Sequence, residues 1–276
     1  MKEDSLVERV LYRLVKKHIS GTTMSSALDK AKELNSKNLL ASITFLCNDV
    51  TDKPKAKYAT TTYLELIRQV ARLNINANVQ VPLKQIGSEI SDDVLEENMN
   101  QVLSTGNKNG VFVWFEVDGV SKRIIRGIGE SKGCGIAASA EDAKGIISSS
   151  MSIKALKLMF NEKRKDVKER EYNYMDGFMD AKSNIDSVVV MSPPEKVVKK
   201  LVKGKNGAKG KRSLVFEFQL GYSRKLQKKA LKKGIKTSVY VPFGKDWVSF
   251  AVNNAPEGYM HFIAGRLLKG EVEGGA

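Results

Sequence analysis

Leu39-Leu40-Ala41-Ser42-Ile43-Thr44-Phe45-Leu46 and Val79-Gln80-Val81-Pro82-Leu83 are two short β-rich runs, and between them lies a helical pattern carried by Tyr63, Ile67, Val70 and Ala71. Strand, amphipathic helix, strand is the signature of a βαβ unit, in which the helix returns the chain so that both strands run parallel. The alternation continues. A helix from Ser91 through Leu103, with Ser91-Asp92-Asp93 as a good N-terminal cap, precedes a run at Val111–Phe115. Further strands are expected at Gly135–Ala138, Ser152–Leu156, Ser187–Met191, Leu214–Gln219 and Thr237–Val241. Helical patterns lie between them at Ala140–Ser148, Lys165–Lys182, Pro194–Val202 and Ser223–Lys233, and Asp246 to Leu268 closes the series. Val120–Glu130, short and interrupted by glycine, is the weakest helical pattern.

Eight such units in 276 residues suit one (β/α)8 TIM-like barrel, a fold that takes about 250 residues. A doubly wound open sheet has the same periodicity, because alternation does not distinguish closure from an edge. No G-x-G-x-x-G follows a strand, and Gly204, Gly207 and Gly210 lie in a lysine-rich linker where Lys211 is followed by Arg212 rather than Ser or Thr, which excludes a P-loop there. Ahead of the barrel, Leu6, Val10, Leu14 and Val15, then Ala27, Leu28, Ala31 and Leu34, recur at helical spacing. The expected organisation is a single domain: an N-terminal helical entry segment over 1–38, the barrel over 39–268 and a disordered tail over 269–276.

The longest apolar runs fall far short of the roughly 20 residues that span a bilayer. The start, Met1-Lys2-Glu3-Asp4-Ser5, lacks the apolar region of a secretory signal, and a cytoplasmic protein is expected. Cys47, Cys134, His18 and His261 have no metal-site spacing, so no metal is expected.

Two segments carry a resemblance to a known family. Phe216-Glu217-Phe218-Gln219 with Tyr222 is similar to the seventh-strand motif of the monofunctional proline dehydrogenases, and Val239-Tyr240-Val241-Pro242-Phe243-Gly244-Lys245-Asp246-Trp247 resembles their eighth-strand motif more closely. Weaker echoes run from His18-Ile19-Ser20-Gly21-Thr22 through Gln85-Ile86-Gly87 to Leu267-Leu268. The resemblance implies a barrel that binds FAD at its C-terminal mouth and moves a hydride from L-proline to the flavin, giving pyrroline-5-carboxylate.

Several chemical positions of that family differ here. The Arg pair that neutralises the proline carboxylate aligns with Asn253 and Asn254, and the aromatic before it with Phe250, a degraded substrate clamp. Breaking a buried charge pair costs on the order of 2–5 kcal/mol. The second-strand lysine falls at Pro82, with Lys84 two positions on and, by strand alternation, on the same face. Lys84, the retained acid Glu116 on the third strand and the retained Tyr240 are the candidate catalytic residues. On the flavin side, the candidates are Ser139, Lys154, Lys157, Ser192, Gln219 and Tyr222. Leu158 stands where the family has a glycine and is expected to crowd the flavin. The expectation is a family activity weakened or lost, with FAD held weakly or not at all.

Net charge is +15, and from Lys199 to Lys245 there are fifteen Lys or Arg residues against one acid, Glu217, a local excess of +14. The 199–212 stretch joins a helix to the next strand, which predicts a location at the N-terminal face of the barrel, opposite the mouth. Lys199, Lys200, Lys203, Lys205, Lys209, Lys211 and Arg212, continued by Lys225, Lys228, Lys229 and Lys232 on the next helix, form a candidate polyanion-binding surface. The alternative function is therefore a catalytically silent basic barrel that binds RNA, a ribosome or another polyanion.

Overall fold

A computed structural model describes residues 12, 16–48, 50–148, 153–159, 185–193, 195–204, 213–221, 224–247 and 250. Its strands are β1 (Leu40–Phe45), β2 (Ala77–Pro82), β3 (Val113–Glu116), β4 (Cys134–Ser139), β5 (Ala155–Met159), β6 (Ser187–Met191), β7 (Ser213–Gln219) and β8 (Lys236–Phe243). Each pairs in parallel with the next, and β8 pairs with β1 in a register that sets Leu40 opposite Ser238 and Phe45 opposite Phe243. The sheet is closed, which excludes the doubly wound alternative.

The described helices are α1 (Met24–Asn35), α2 (Lys53–Arg72), α3 (Asp92–Asn109), α4 (Lys122–Glu130), α5 (Ala140–Ser148), α6 (Glu195–Gly204) and α7 (Arg224–Lys232). Their starts follow local chemistry. The Asp52 side chain accepts from Lys55 N at 2.8 Å and the Ser91 hydroxyl from Val94 N at 3.3 Å, each satisfying an amide that the helix leaves open. α3 stops at Gly110, whose φ of 66° is the left-handed geometry that ends helices.

Strand alternation divides the core in two. Ile43, Val79, Val81, Phe115, Ile136, Leu156, Val190, Phe216, Phe218 and Val241 belong to the large buried cluster under the helices. Trp114, Ala137, Ala155, Val189 and Val215 form a second cluster that fills the barrel, with Leu40, Phe112 and Met159 packed against it. Burial on both faces is why these strands read as near-continuous apolar runs. Gly135 is required by this filling, since a Cβ there would lie 2.5 Å from the Trp114 ring.

One strand boundary moves by three residues. The expected strand at 152–156 is observed at Ala155–Met159. The strand runs on through Lys157, a residue costly in a barrel interior unless it is paired, and its partner Glu217 lies 60 residues away in sequence.

Residues 17–21 run over the C-terminal ends of β7 and β8. The His18 ring nitrogen Nδ1 is 2.9 Å from Leu220 O, Ser20 N donates to Pro242 O at 2.9 Å, and Gly244 N donates to Gly21 O at 3.1 Å. A Cβ at Gly221, φ +82°, would stand 2.3 Å from Lys17 O, so this crossing needs a glycine on both counts. The expected helix at 165–182, most of the expected first entry helix, most of the closing stretch 246–268 and the 269–276 tail fall outside the described residues.

Candidate active site

The inward-pointing side chains form two levels. At the lower level Lys157 of β5 is fully buried, and its Nζ donates to Glu217 Oε1 and Oε2 at 2.8 and 3.0 Å, to Gln80 Oε1 at 2.8 Å and to Ser42 Oγ at 3.0 Å. The same nitrogen lies 5.2 Å from the centroid of the Trp114 ring. One ammonium from β5 thus contacts β1, β2, β3 and β7 across the interior. Burial pulls the Lys157 pKa down, and the Glu217 carboxylate opposes that pull. A buried ammonium stays charged only when such contacts replace its water.

Gln80 links this level to the mouth. Its oxygen faces Lys157, which can only donate, so its amide nitrogen is directed outward and donates to Glu116 Oε2 at 2.8 Å. Glu116 ends β3. Burial pushes its carboxyl above the ordinary range, and the Gln80 hydrogen bond and the Lys157 charge pull it back. A carboxyl shifted upward in a cleft keeps its proton more readily than a solvated one.

Glu116, Pro82, Ser139, Met159, Ser192 and Gln219 are half-buried, whereas Ser42, Gln80, Ala137, Lys157 and Glu217 beneath them are buried. The upper level therefore keeps partial solvent exposure, and the floor beneath it has almost none. Tyr240 of β8 sits opposite Gln219 in the β7–β8 register and is 8% exposed. Burial and the nearby Glu116 push its phenol well above the usual range, so it is a neutral donor. The Phe250 ring lies 6.4 Å from the Tyr240 ring at 34°, giving the mouth an aromatic side. Behind them, Tyr63 of α2 donates to Gln85 Oε1 at 2.6 Å and tethers the segment that follows β2.

No protein-family profile matches the chain. It is 22% identical over 262 residues to proline dehydrogenase 2 of Bacillus subtilis strain 168, covering 87% of this chain and 85% of that protein, and 20% identical over 268 residues to proline dehydrogenase 1, covering 88% and 86%. The chain is a distant homologue of the proline dehydrogenases. Among solved structures, it is similar to proline utilization A from Bdellovibrio bacteriovorus inactivated by N-propargylglycine, at a TM-score of 0.75 and 17% identity over 90% of this chain. It is also similar to proline utilization A from Corynebacterium freiburgense, at 0.67 and 14% over 92%. It spans only 33% and 32% of those two chains, and the likeness to them is one of fold.

Against the sequence expectations, the structure brings Glu116, Tyr240, Gln219, Ser139, Ser192 and Phe250 to the mouth. Four expectations need correction. Lys84 does not share the inward face of Pro82, because β2 ends there and the chain turns into a short 3-10 segment, Leu83–Ile86; Lys84 sits exposed on the rim, 2.7 Å from Asp118 Oδ2. Lys154 is exposed and precedes β5, so it lies at the N-terminal end of the barrel, away from the mouth. Lys157 lies one level below the mouth, held by Glu217 rather than presented to a ligand. Leu158 faces outward in the cluster under the helices and does not enter the mouth. Ser139 is also engaged, since its hydroxyl donates to Asp142 Oδ2 at 2.6 Å and accepts from Asp142 N at 3.1 Å. Tyr222, Asn253 and Asn254 lie outside the described residues.

Sequence reasoning missed Ser42, Gln80 and Trp114. For Ser42 and Gln80 the signal was present, because each is a polar residue between apolar neighbours at mid-strand, but such a residue reads as solvent-facing until the barrel is known to be closed; Trp114, between Val113 and Phe115, gave no such signal.

Proposed function

We propose that this barrel binds FAD at its C-terminal mouth and oxidises a secondary amine of the proline type, with free proline held weakly. The observation that carries the reading is the partly exposed polar level with Glu116 and Tyr240, above a buried floor, in a homologue of proline dehydrogenases over most of the chain.

The described mouth fits a flavin ring. Half-buried Gln219 and Ser192 could hydrogen-bond its edge, Met159 offers an apolar surface, and the outward orientation of Leu158 removes the steric objection to the ring. Bound there, FAD would accept the hydride from the carbon beside the amine nitrogen. The chain's own residues would do the rest. Glu116 would hold the amine or its proton, Tyr240 would donate a hydrogen bond, and Phe250 would pack against the substrate's apolar ring. Gln80, polarised by Lys157, keeps Glu116 in position. Asn253 and Asn254 can hydrogen-bond a carboxylate but not neutralise it, which supports weak proline binding.

The test is the absorption spectrum of the purified protein before and after incubation with FAD, followed by anaerobic titration with proline. Flavin is expected to bind on addition, with bleaching at high proline concentrations and at lower ones in the Asn253→Arg/Asn254→Arg variant. Failure to retain added FAD overturns the proposal, and bleaching of the unaltered protein by low proline overturns its substrate half.

A further inference from the structure

The flank formed by α6 and α7 is independent of the mouth. The two helices pack side by side, and Glu195 Oε1 bridges them, 3.0 Å from Lys199 Nζ and 3.7 Å from Lys229 Nζ. Lys199, Lys200, Lys225, Lys228, Lys229 and Lys232 are exposed, and for Lys200, Lys225, Lys228 and Lys232 there is no carboxylate partner among the described residues. Other helices mix their signs. On α1, Glu33 pairs with Lys30 and Lys37, and between α3 and α4 Arg123 pairs with Asp92 and Glu96. The cationic excess is larger on this flank than on α2, which carries five cations against Glu65.

Structure also moves the surface. In a barrel the helices run antiparallel to the strands, so these lysines line the outer flank rather than only the N-terminal face. Lys205, Lys209, Lys211 and Arg212 fall outside the described residues, as does the Lys203 side chain.

We propose that the α6–α7 flank binds single-stranded RNA through its phosphates, without sequence preference. Lys225 to Lys232 span about 10 Å along α7, a narrow ridge that a flexible strand can follow. The exposed large apolar residues among those described are Tyr12, Tyr58 and Leu73, none of them on this flank. An interfacial membrane helix needs an apolar face to insert, which the described residues of this flank do not offer, and no large apolar residue is exposed among them to anchor a protein partner. A row of lysines with Arg224 suits counterion release from phosphates, and no exposed aromatic among the described residues of this flank offers a platform for base stacking.

The experiment measures binding of a labelled, mixed-sequence single-stranded RNA across a salt series. It compares the full chain with Lys225→Gln/Lys228→Gln/Lys229→Gln/Lys232→Gln and with a charge-matched control, Lys53→Gln/Lys57→Gln/Lys122→Gln/Lys132→Gln. Circular dichroism verifies that both variants fold. The flank variant is expected to lose affinity at low salt and to flatten the slope of log K against log salt by up to about 3, at roughly 0.7 for each phosphate left without a cation. The control is expected to keep the slope of the unaltered chain. Equal weakening by both variants, no RNA binding at low salt, or tighter binding to phosphatidylserine vesicles or polyglutamate than to RNA would each overturn the proposal. None of these outcomes depends on flavin or amine chemistry.

Discussion

Lys157–Glu217 and Lys84–Asp118 are ion pairs of nearly equal length, 2.8 and 2.7 Å, in opposite surroundings. The first has side chains 0% and 1% exposed, the second 49% and 65%. In the interior, each ion has given up its water and depends on the other, and the ammonium also depends on Gln80 and Ser42. On the rim, water already solvates both partners and the pair adds little. Distance alone would rank them as equals; desolvation separates them.

The largest expected effect breaks the interior pair. Glu217→Ala should leave Lys157 buried without its counter-ion and cost about 3–5 kcal/mol in urea unfolding, while Lys157→Met/Glu217→Leu should recover most of that loss. Asp118→Ala on the rim should cost no more than about 1 kcal/mol, with the difference shrinking in high salt. Similar losses for the two single variants would erase the contrast.

Leu158→Ala tests which side of β5 faces the mouth. With Leu158 packed under the helices, truncation should cost about 2–5 kcal/mol and leave flavin retention per folded molecule unchanged. A marked gain in flavin retention would mean that this side chain reaches the mouth after all.

The smallest effect sharpens the boundary between floor and rim. Burial raises the Glu116 pKa in the folded protein, so folding favours its protonated form. Its contribution to stability is present below the unfolded carboxyl pKa, about 4.3, and is lost as pH rises through the raised folded value. Melting temperatures of Glu116→Gln and the unaltered chain should therefore agree most closely at acid pH, with the variant gaining as pH rises. A gap that closes with rising pH would reverse the assigned cause.

Much of the fold was legible because a closed parallel barrel repeats one local pattern. Seven of the eight strands lie within two residues of where their apolar runs predict them and the fifth within three, and even the short 122–130 helix forms. The site was less legible. Tyr240, Gln219 and Glu116 could be placed from motif and alternation, whereas Lys84 and Lys154 could not, because their side depends on where a strand begins or ends, and a one-residue change reverses every facing.

By itself the sequence determined the β/α alternation, the caps, the concentration of lysine after residue 199 and the likeness to proline dehydrogenases, all set by neighbours along the chain. Only the tertiary structure decided that the sheet closes, that Leu158 points outward, and that Lys157 meets Glu217, Gln80 and Ser42 inside the barrel. Those contacts join residues 60 to 115 positions apart, and the cost of a buried charge cannot be judged before its partner is known.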